Sequence, residues 1–337
     1  MRFPFASLLI AEIAPELGIR VELEPEFQFA GQLIFPDGRR HVFRNTHFNI
    51  NPAGAVEIAR DKGYTKFFLE QSGFPVARGK TFFSDALNRN LSPAHRRGME
   101  EAVAFAAELG FPVYVKPNDL SQGILVAKVY REHSLREVAR QIWQRSQVLL
   151  VEEVCEGRDY RVVVLGNKTI SAYQRVPLSV TGDGMSSIDQ LLRLARDKLR
   201  RSRRPNSDID ADDRRIDMKL ESHGLSRDSV LAEDERVYVL DNANLCSGGE
   251  SFDVTGTIHP EFRRLSVEAA RVLGLRLAGV DIICADLTRD PAEQSWKILE
   301  INGAPGLDNY AALGPEQAER VRNLYREILL YLAETAW

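Results

Sequence analysis

The sequence predicts an α/β protein of the α+β type, built from a small N-terminal cap and two lobes that clasp a ligand between them. Helical and strand patterns alternate along the chain, which favours layers of helix and sheet. The segment 151–161 runs from an apolar strand through acidic residues and a glycine into a second strand, which indicates a hinge. A length of 337 residues with 44% hydrophobic content suits several cores. We predict the cap at 1–55 and the lobes at 56–154 and 155–337, the second with an insertion at about 183–235.

The cap is predicted from short apolar runs around the turn Pro36-Asp37-Gly38, which indicates a hairpin. In the first lobe, Gly-Phe-Pro triplets at 73–75 and 110–112 end two helices. The predicted elements of this lobe are a helix at 53–72, a strand at 80–83, a helix at 93–109, strands at 113–116 and 124–130, a helix at 134–146 and a strand at 148–153.

The second lobe is predicted to be rich in strands. A helix at 260–273 begins with Pro260 and ends before Gly274, the usual asymmetry of helix ends. The other predicted elements are strands at 160–165, 169–176, 236–241, 278–285 and 297–302, and a last amphipathic helix at 315–334.

Composition excludes several classes of function. A net charge of −4 gives no overall attraction to nucleic acid, and the basic cluster at 200–204 fits a solvated helix end. Three widely spaced cysteines without a CxxC pair argue against a disulfide framework and a zinc site, and they favour a reducing cytoplasm. The apolar stretch at 7–14 is too short to cross a bilayer. We therefore expect a cytoplasmic protein without nucleic-acid or membrane partners.

Two carboxylates and an amide are predicted to meet on neighbouring strands. Glu300 and Asn302 lie two residues apart, so a strand directs both to one face, and Asp281 lies in another apolar run. Such hard oxygen donors can hold Mg²⁺ on the phosphates of a nucleotide. The alternative is a sheet that ends in a Gly/Pro turn with incidental polar residues.

A phosphate-binding segment is predicted at one turn. Gly79-Lys80-Thr81 resembles the end of a phosphate loop, but the spacing from Gly73 is wrong and a helix precedes it where a strand is needed. No GxGxxG follows a strand, which excludes a dinucleotide fold. Lys116 instead closes a strand before the turn Ser121-Gln122-Gly123, whose N–H groups can bind phosphate, although the same pattern also fits an ordinary hairpin.

Five motifs in order resemble those of the ATP-grasp carboxylate–amine ligases, over residues 55–330. They are Asp61-Lys62 with Thr65-Lys66 before 73–76, Val115-Lys116-Pro117, the hinge at 151–161, Gly279-Val280-Asp281, and the tract 300–306. The segments 180–184, 242–249, 252–255 and 259–260 further resemble the ligase modules of cyanophycin synthetases and fused glutathione synthetases.

The resemblance implies ATP and Mg²⁺ as cofactors, with two metal ions and Mn²⁺ as a substitute. The implied ATP-binding residues are Lys62 and Lys116 on the phosphates with Lys66 as a helper, Ser121 and Gly123 in the turn, Glu152, Glu153, Val154 and Cys155 at the adenine, and Asp159 at the ribose. The implied metal ligands are Asp281, Glu300 and Asn302. Arg161 and Arg175 are the predicted catalytic residues, and Asn244, Ser247, Gly248 and Gly249 are the predicted substrate residues.

The implied activity is an ATP-dependent ligase that joins amino acids or small peptides by an amide bond, through an acyl phosphate, with release of ADP and phosphate. Phosphorylation gives the carboxylate a leaving group, and positioned cations stabilise the charge that develops. The turn 117–123 is the expected lid that keeps water from the acyl phosphate. It has one glycine where cyanophycin synthetases have several, so we expect a stiffer lid.

Cyanophycin synthetases also have a long N-terminal region and a Mur-ligase-like module, and the sequence shows neither, so we expect a stand-alone ligase that makes one bond. Two alternatives stay open: an enzyme of this fold that modifies a protein or leader peptide docked on 200–204, and an ATP-binding module without catalysis. The intact Lys116, Asp281 and Glu300 argue against the second alternative. We expect small-molecule partners, and the resemblance is compatible with a homodimer.

Overall fold

The computed structural model describes residues 4–202 and 207–334. Arg203 and Arg204 of the basic cluster lie outside the described residues. The first elements are α1 (Phe5–Ile13), β1 (Arg20–Leu23), β2 (Ala30–Ile34), β3 (Arg40–Arg44), β4 (His47–Phe48), α2 (Ala53–Arg60), α3 (Lys62–Gln71), β5 (Gly79–Phe83), α4 (Asp85–Asn88), α5 (Met99–Leu109), β6 (Val113–Pro117), β7 (Ala127–Val129), α6 (Glu132–Trp143) and β8 (Val148–Glu153). The remaining elements are β9 (Arg158–Leu165), β10 (Lys168–Val176), β11 (Ser179–Thr181), α7 (Ile188–Arg201), α8 (Arg214–Ser222), β12 (Arg236–Tyr238), β13 (Glu250–Asp253), α9 (Pro260–Val272), β14 (Leu277–Cys284), β15 (Trp296–Asn302), α10 (Asp308–Ala311) and α11 (Pro315–Glu334).

The N-terminal region consists of α1 and an antiparallel sheet in the order β1-β2-β3-β4. The predicted turn is confirmed, since residues 36–38 connect β2 to β3. Helix α1 was not predicted, because its nine residues are too few to show a clear helical periodicity of apolar residues. Its apolar face packs against a helix that is distant in the sequence. That partner is α11: Ile10 and Ile13 share one core with Tyr325 and Leu329.

A four-stranded antiparallel sheet, the small sheet, follows in the order β5-β8-β6-β7, and α5 and α6 cover it. The prediction of one helix at 53–72 is wrong, because Asp61 has an extended backbone and its side chain caps α3 by accepting a hydrogen bond from the Tyr64 N–H at 2.9 Å. This break places Lys62 at the first position of α3. The strand predicted at 124–130 is shorter than expected, since Leu125 has a φ of 55° that a strand cannot hold.

The large sheet has the order β13-β10-β9-β14-β15 and is antiparallel throughout. Its helix α9 matches the predicted bounds 260–273 to within a residue. Between β10 and β13, residues 183–235 carry α7 and α8, which pack with β11 and β12 around a core of their own. Within residues 4–202 and 207–334, no helix has the length and apolarity needed to cross a membrane.

The buried side chain of Asn51 ties the N-terminal region to the large sheet. Its amide nitrogen donates to the carbonyls of Leu277 at 2.8 Å and Gly303 at 2.7 Å. Its oxygen accepts from the N–H groups of Arg276 at 2.7 Å and Leu277 at 3.0 Å. Thr46 adds a hydrogen bond to the Ala304 carbonyl at 3.1 Å. The loop that follows β15 is therefore fixed from the N-terminal side.

Candidate active site

A cleft of about 880 Å³ lies between the small sheet, the large sheet, the N-terminal region and residues 238–246. Most of the predicted site residues line it. They are Lys62, Lys116, Ser121, Gly123, Glu152, Glu153, Val154, Cys155, Asp159, Arg161, Arg175, Asn244, Asp281, Glu300 and Asn302. Lys66, Ser247, Gly248 and Gly249 are not among the lining residues.

The two glycines of that second group have a packing role. A Cβ atom at Gly248 would lie 2.7 Å from the Ile209 side chain, and one at Gly249 would lie 2.8 Å from the Val176 carbonyl. Both positions therefore need glycine to let neighbouring segments approach. Ser247 lies in the same turn, and a hydrogen bond from its N–H to the Asn244 carbonyl at 3.1 Å holds this turn behind the cleft wall.

Asp281 lies on β14, an interior strand of the large sheet, where the two neighbouring strands present Arg161 and Glu300 directly opposite it. The guanidinium of Arg161 contacts both carboxylate oxygens of Asp281, with Nη2 donating to Oδ2 at 2.8 Å. Arg175 reaches the same Oδ2 at 2.9 Å. The register of β9, β10 and β14 thus brings two guanidinium groups to one buried carboxylate. Burial lowers the pKa of both guanidinium groups, but the facing carboxylates more than offset this and the pKa values rise.

Glu300 and Asn302 lie side by side at the end of β15. The Asn302 amide donates to Glu300 Oε1 at 3.1 Å, and Lys62 Nζ lies 3.7 Å from Oε2. Burial acts to raise the pKa of Glu300, but the ammonium groups of Lys62 and Lys116 hold that pKa far below its usual range. The carboxylate is therefore ionised at neutral pH and faces the cleft.

These oxygen donors fit a hard divalent cation. Within residues 4–202 and 207–334, no three His, Cys, Asp or Glu side chains group as a metal site, so the candidate set consists of two carboxylates and an amide. Asp281, Glu300 and Asn302 all line one wall, and oxygen ligands of this kind are those that Mg²⁺ takes alongside phosphate.

A buried triad lies under the opposite wall. Glu152 of β8 contacts Lys116 Nζ through Oε1 and Lys66 Nζ through Oε2, the latter at 2.8 Å. Lys66 also donates to the Ala77 carbonyl at 2.8 Å, which keeps it behind Glu152. Burial favours the neutral forms of Glu152 and Lys116, but their mutual attraction prevails, so the pKa of Glu152 is lowered and the pKa of Lys116 is raised.

Asp159 and Arg175 face each other across β9 and β10. Asp159 Oδ1 accepts from Arg175 Nε at 2.9 Å and Nη2 at 2.6 Å. Burial raises the pKa of Asp159, against the opposing effect of Arg175. Arg175 thus bridges Asp159 and Asp281, which connects the predicted ribose residue to the predicted metal residue.

The hinge between β8 and β9 lines the cleft. The Glu153 side chain pairs with Lys297 of β15 and accepts from the Arg78 N–H at 2.7 Å, so it links the two sheets. Residues 153–155 line the cleft next to Tyr114 of β6.

Cys155 gives a direct probe of this hinge. Burial, together with the carboxylates of Glu152 and Glu153, raises the pKa of its thiol to about 11. At pH 8 the thiolate fraction is then about 10⁻³, so we expect slow alkylation by iodoacetamide that accelerates about tenfold per pH unit. A nucleotide on residues 153–155 would cover the thiol and slow the reaction. Mass spectrometry distinguishes Cys155 from Cys246 and from the buried Cys284. A rate at Cys155 that does not change between pH 7 and 9 would contradict the assignment.

Sequence reasoning missed the residues that come from two other regions. Asn45, Thr46 and His47 of the N-terminal region line one end of the cleft, and Lys219 and Asp241, joined at 2.7 Å, line another. None of them lies in a recognisable motif. The one available signal was the clustering of Asn and Gly at 242–249, directly after Asp241.

Comparison with known proteins agrees with the fold. The family described as "D-ala D-ala ligase C-terminus" matches residues 68–186. Cyanophycin synthetase of Synechocystis sp. is 35% identical over 266 residues, which cover 76% of this chain and 28% of that protein. Glutathione biosynthesis bifunctional protein GshAB of Mannheimia succiniciproducens is 30% identical over 303 residues, covering 87% and 38%.

Among solved structures, the bifunctional glutathione synthetase from Pasteurella multocida matches with a TM-score of 0.59 and 24% identity, covering 98% of this chain and 44% of that one. The chain thus spans 28% and 38% of the length of the two relatives above. Because the sequence similarity and the shared fold agree, this chain belongs to the ATP-grasp ligases.

Proposed function

We propose that the chain is an ATP-dependent carboxylate–amine ligase that joins amino acids or small peptides by an amide bond, through an acyl phosphate, and releases ADP and phosphate. One observation carries this: Lys62, Lys116 and the carboxylate of Glu300 line a single cleft, with Lys62 Nζ 3.7 Å from Glu300 Oε2. Cations for the phosphates and oxygen donors for the metal thus lie together in one cleft.

The nucleotide would lie along the small-sheet wall. Residues 153–155 offer backbone groups to the adenine, and Asp159 retains a carboxylate oxygen, Oδ2, for the ribose hydroxyls beside the one that Arg175 occupies. Lys116 would contact the phosphates from its place above Glu152. Lys66 acts indirectly in this arrangement, since it holds Glu152 and thereby fixes Lys116.

Asp281, Glu300 and Asn302 would hold the magnesium, which when bound neutralises charge on the transferring phosphate. We propose Mg²⁺ in two sites, with Mn²⁺ as a substitute. Arg161 and Arg175, already oriented by Asp281, would stabilise the charge on the acyl phosphate.

The substrates would occupy the end of the cleft that the N-terminal region closes. Thr46 and Ala304, hydrogen-bonded to each other, line that end with His47. An acyl group there would lie beyond Glu300 and Asn302, next to the arginine pair. Asn244 lines the cleft beside Gly123. We propose a cytoplasmic enzyme, in agreement with three cysteines that form no disulfide with one another, and a homodimer stays a prediction.

No observation favours a docked leader peptide. Arg200 is paired with Asp208 at 2.8 Å, and Arg201 donates to the Asp197 carbonyl at 3.2 Å, so the described arginines of that cluster are engaged within the chain.

The test is a phosphate-release screen with ATP, Mg²⁺ and all pairs of the common amino acids, followed by mass spectrometry of the products. We expect ADP, phosphate and one condensed product for a small set of pairs. Release of ADP that requires a protein acceptor would support the leader-peptide alternative. Absence of ATP binding would overturn the proposal.

A further inference from the structure

The phosphate turn, defined here as residues 117–126, is held by a side chain from outside the two sheets. Arg215 of α8 donates through Nη1 to the carbonyls of Gly123 at 2.8 Å and Val126 at 3.1 Å. One guanidinium nitrogen thus joins both sides of the tightest part of the turn. Arg215 belongs to the insertion that follows β11, so the insertion reaches across the cleft to the small sheet.

Arg215 is itself fixed in place. Its Nε donates to both oxygens of Asp213, at 3.0 and 2.9 Å, and Asp213 also caps α8 by accepting from the Arg215 N–H at 2.9 Å. Helix α8 is anchored on the small sheet, because Met218 packs against that core. Arg131 of the small-sheet lobe adds a contact to Glu221 at 3.3 Å. The guanidinium therefore points at the turn from a rigid support.

The phosphate turn needs such support. Gln122, Gly123 and Leu125 have φ values of 60°, 66° and 55°. Residues other than glycine adopt this left-handed backbone region only at a cost in free energy. A Cβ atom at Gly123 would lie 2.6 Å from Asn242 Nδ2 and 2.7 Å from Asn244 Nδ2. Residues after β12 therefore press directly on the turn at the point where Arg215 holds it.

The other end of the turn is fixed by different groups. Lys62 Nζ donates to the Leu120 carbonyl at 2.7 Å, and Ser146 Oγ donates to Asp119 Oδ1 at 2.7 Å. Loss of Arg215 would thus free residues 123–126 without detaching residues 119–120. The effect would fall on the part of the turn that contains Gly123.

We infer that Arg215 is a positioning residue, which holds the phosphate turn in its nucleotide-binding shape and makes the insertion a determinant of ATP affinity. The inference rests on the proposed function, because Ser121 and Gly123 are the residues that would meet the phosphates. A strained segment binds well only if its shape is set before the ligand arrives, since otherwise binding must supply the ordering free energy. Arg215 supplies that ordering in advance.

The test compares R215M with R214M, a matched control, because the Arg214 side chain is 73% exposed and only approaches Glu137, at 3.8 Å. We measure the affinity for ATP and for adenosine by calorimetry, and the KM for ATP and kcat by phosphate release. For R215M we expect ATP affinity to fall about tenfold or more and the KM for ATP to rise, while adenosine affinity is unchanged, because adenosine has no phosphate. R214M should match the wild type, and R215K should recover part of the affinity.

Hydrogen exchange at residues 121–126 gives a second readout, and it should accelerate in R215M alone. If R215M does not unfold cooperatively, R215K and D213N replace it. Both are expected to bind ATP more weakly than the wild type and R214M. Wild-type protein that binds no ATP would refute the proposed function. Wild-type protein that binds ATP, with R215M binding equally well, would refute this inference and leave the proposed function intact.

Discussion

Glu300→Gln is expected to lower the rate of phosphate release by roughly 10²-fold or more. The carboxylate is ionised because the ammonium groups of Lys62 and Lys116 outweigh its burial. The amide keeps the size of the side chain but removes the charge that would hold a divalent cation. The residual activity should therefore need far more Mg²⁺ than the wild type, and a titration of the rate against Mg²⁺ measures this.

Glu293→Gln is the matched control for this experiment. Its side chain lies shortly before β15, is 65% exposed and pairs with Arg289 at 3.5 Å, so removal of its charge should change neither the rate nor the Mg²⁺ requirement. A Glu300→Gln protein with wild-type rates at every Mg²⁺ concentration would remove Glu300 from the proposed metal site.

Glu152→Leu is expected to lower the free energy of unfolding by about 3–5 kcal/mol. The buried ammonium groups of Lys66 and Lys116 share this one carboxylate, and both would lose their partner in a medium that disfavours isolated charge. Urea unfolding at neutral pH measures the loss. The neighbouring Glu153→Leu is the control, because the Glu153 side chain is 29% exposed and water can solvate Lys297, so we expect about 1 kcal/mol or less.

The pH dependence of the Glu152 effect has a defined sign. A carboxylate with a lowered pKa stabilises the fold above its unfolded pKa, and the contribution disappears as the pH falls through the folded pKa. The difference between wild type and Glu152→Leu should therefore be full at pH 7 and shrink below about pH 4. Adding Lys66→Met to Glu152→Leu should restore part of the stability, and a double variant less stable than Glu152→Leu would contradict the assignment of buried charge.

The residues that sequence reasoning placed best belong to motifs in which neighbours along the chain are neighbours in space. Glu300 and Asn302 share one strand face, and the hinge after β8 is a single continuous segment. Asp281 was predicted as a ligand, but its two guanidinium partners depend on the register of β14 against β9 and of β9 against β10. Such a register is set by tertiary packing.

Other features had no local signal. The break at Asp61 depends on a capping bond that competes with an otherwise regular helical pattern. Lys66 carries the same charge as Lys62, and the fact that it lies behind Glu152 depends on which face of α3 is covered. Arg215 lies in a charged stretch that resembles any solvated surface, until α8 docks on the small sheet.

The hydrogen bonds of Asn51 have a practical consequence for any attempt to transplant the two sheets and the cleft between them into another protein. The family match begins at residue 68, which suggests a natural place to cut. A fragment cut there would lose the one amide that pairs with the peptide groups of Arg276, Leu277 and Gly303. A transplanted fragment should therefore include the N-terminal region up to and including Asn51, because a fragment without it would lose the hydrogen bonds that fix the loop after β15 at the edge of the cleft.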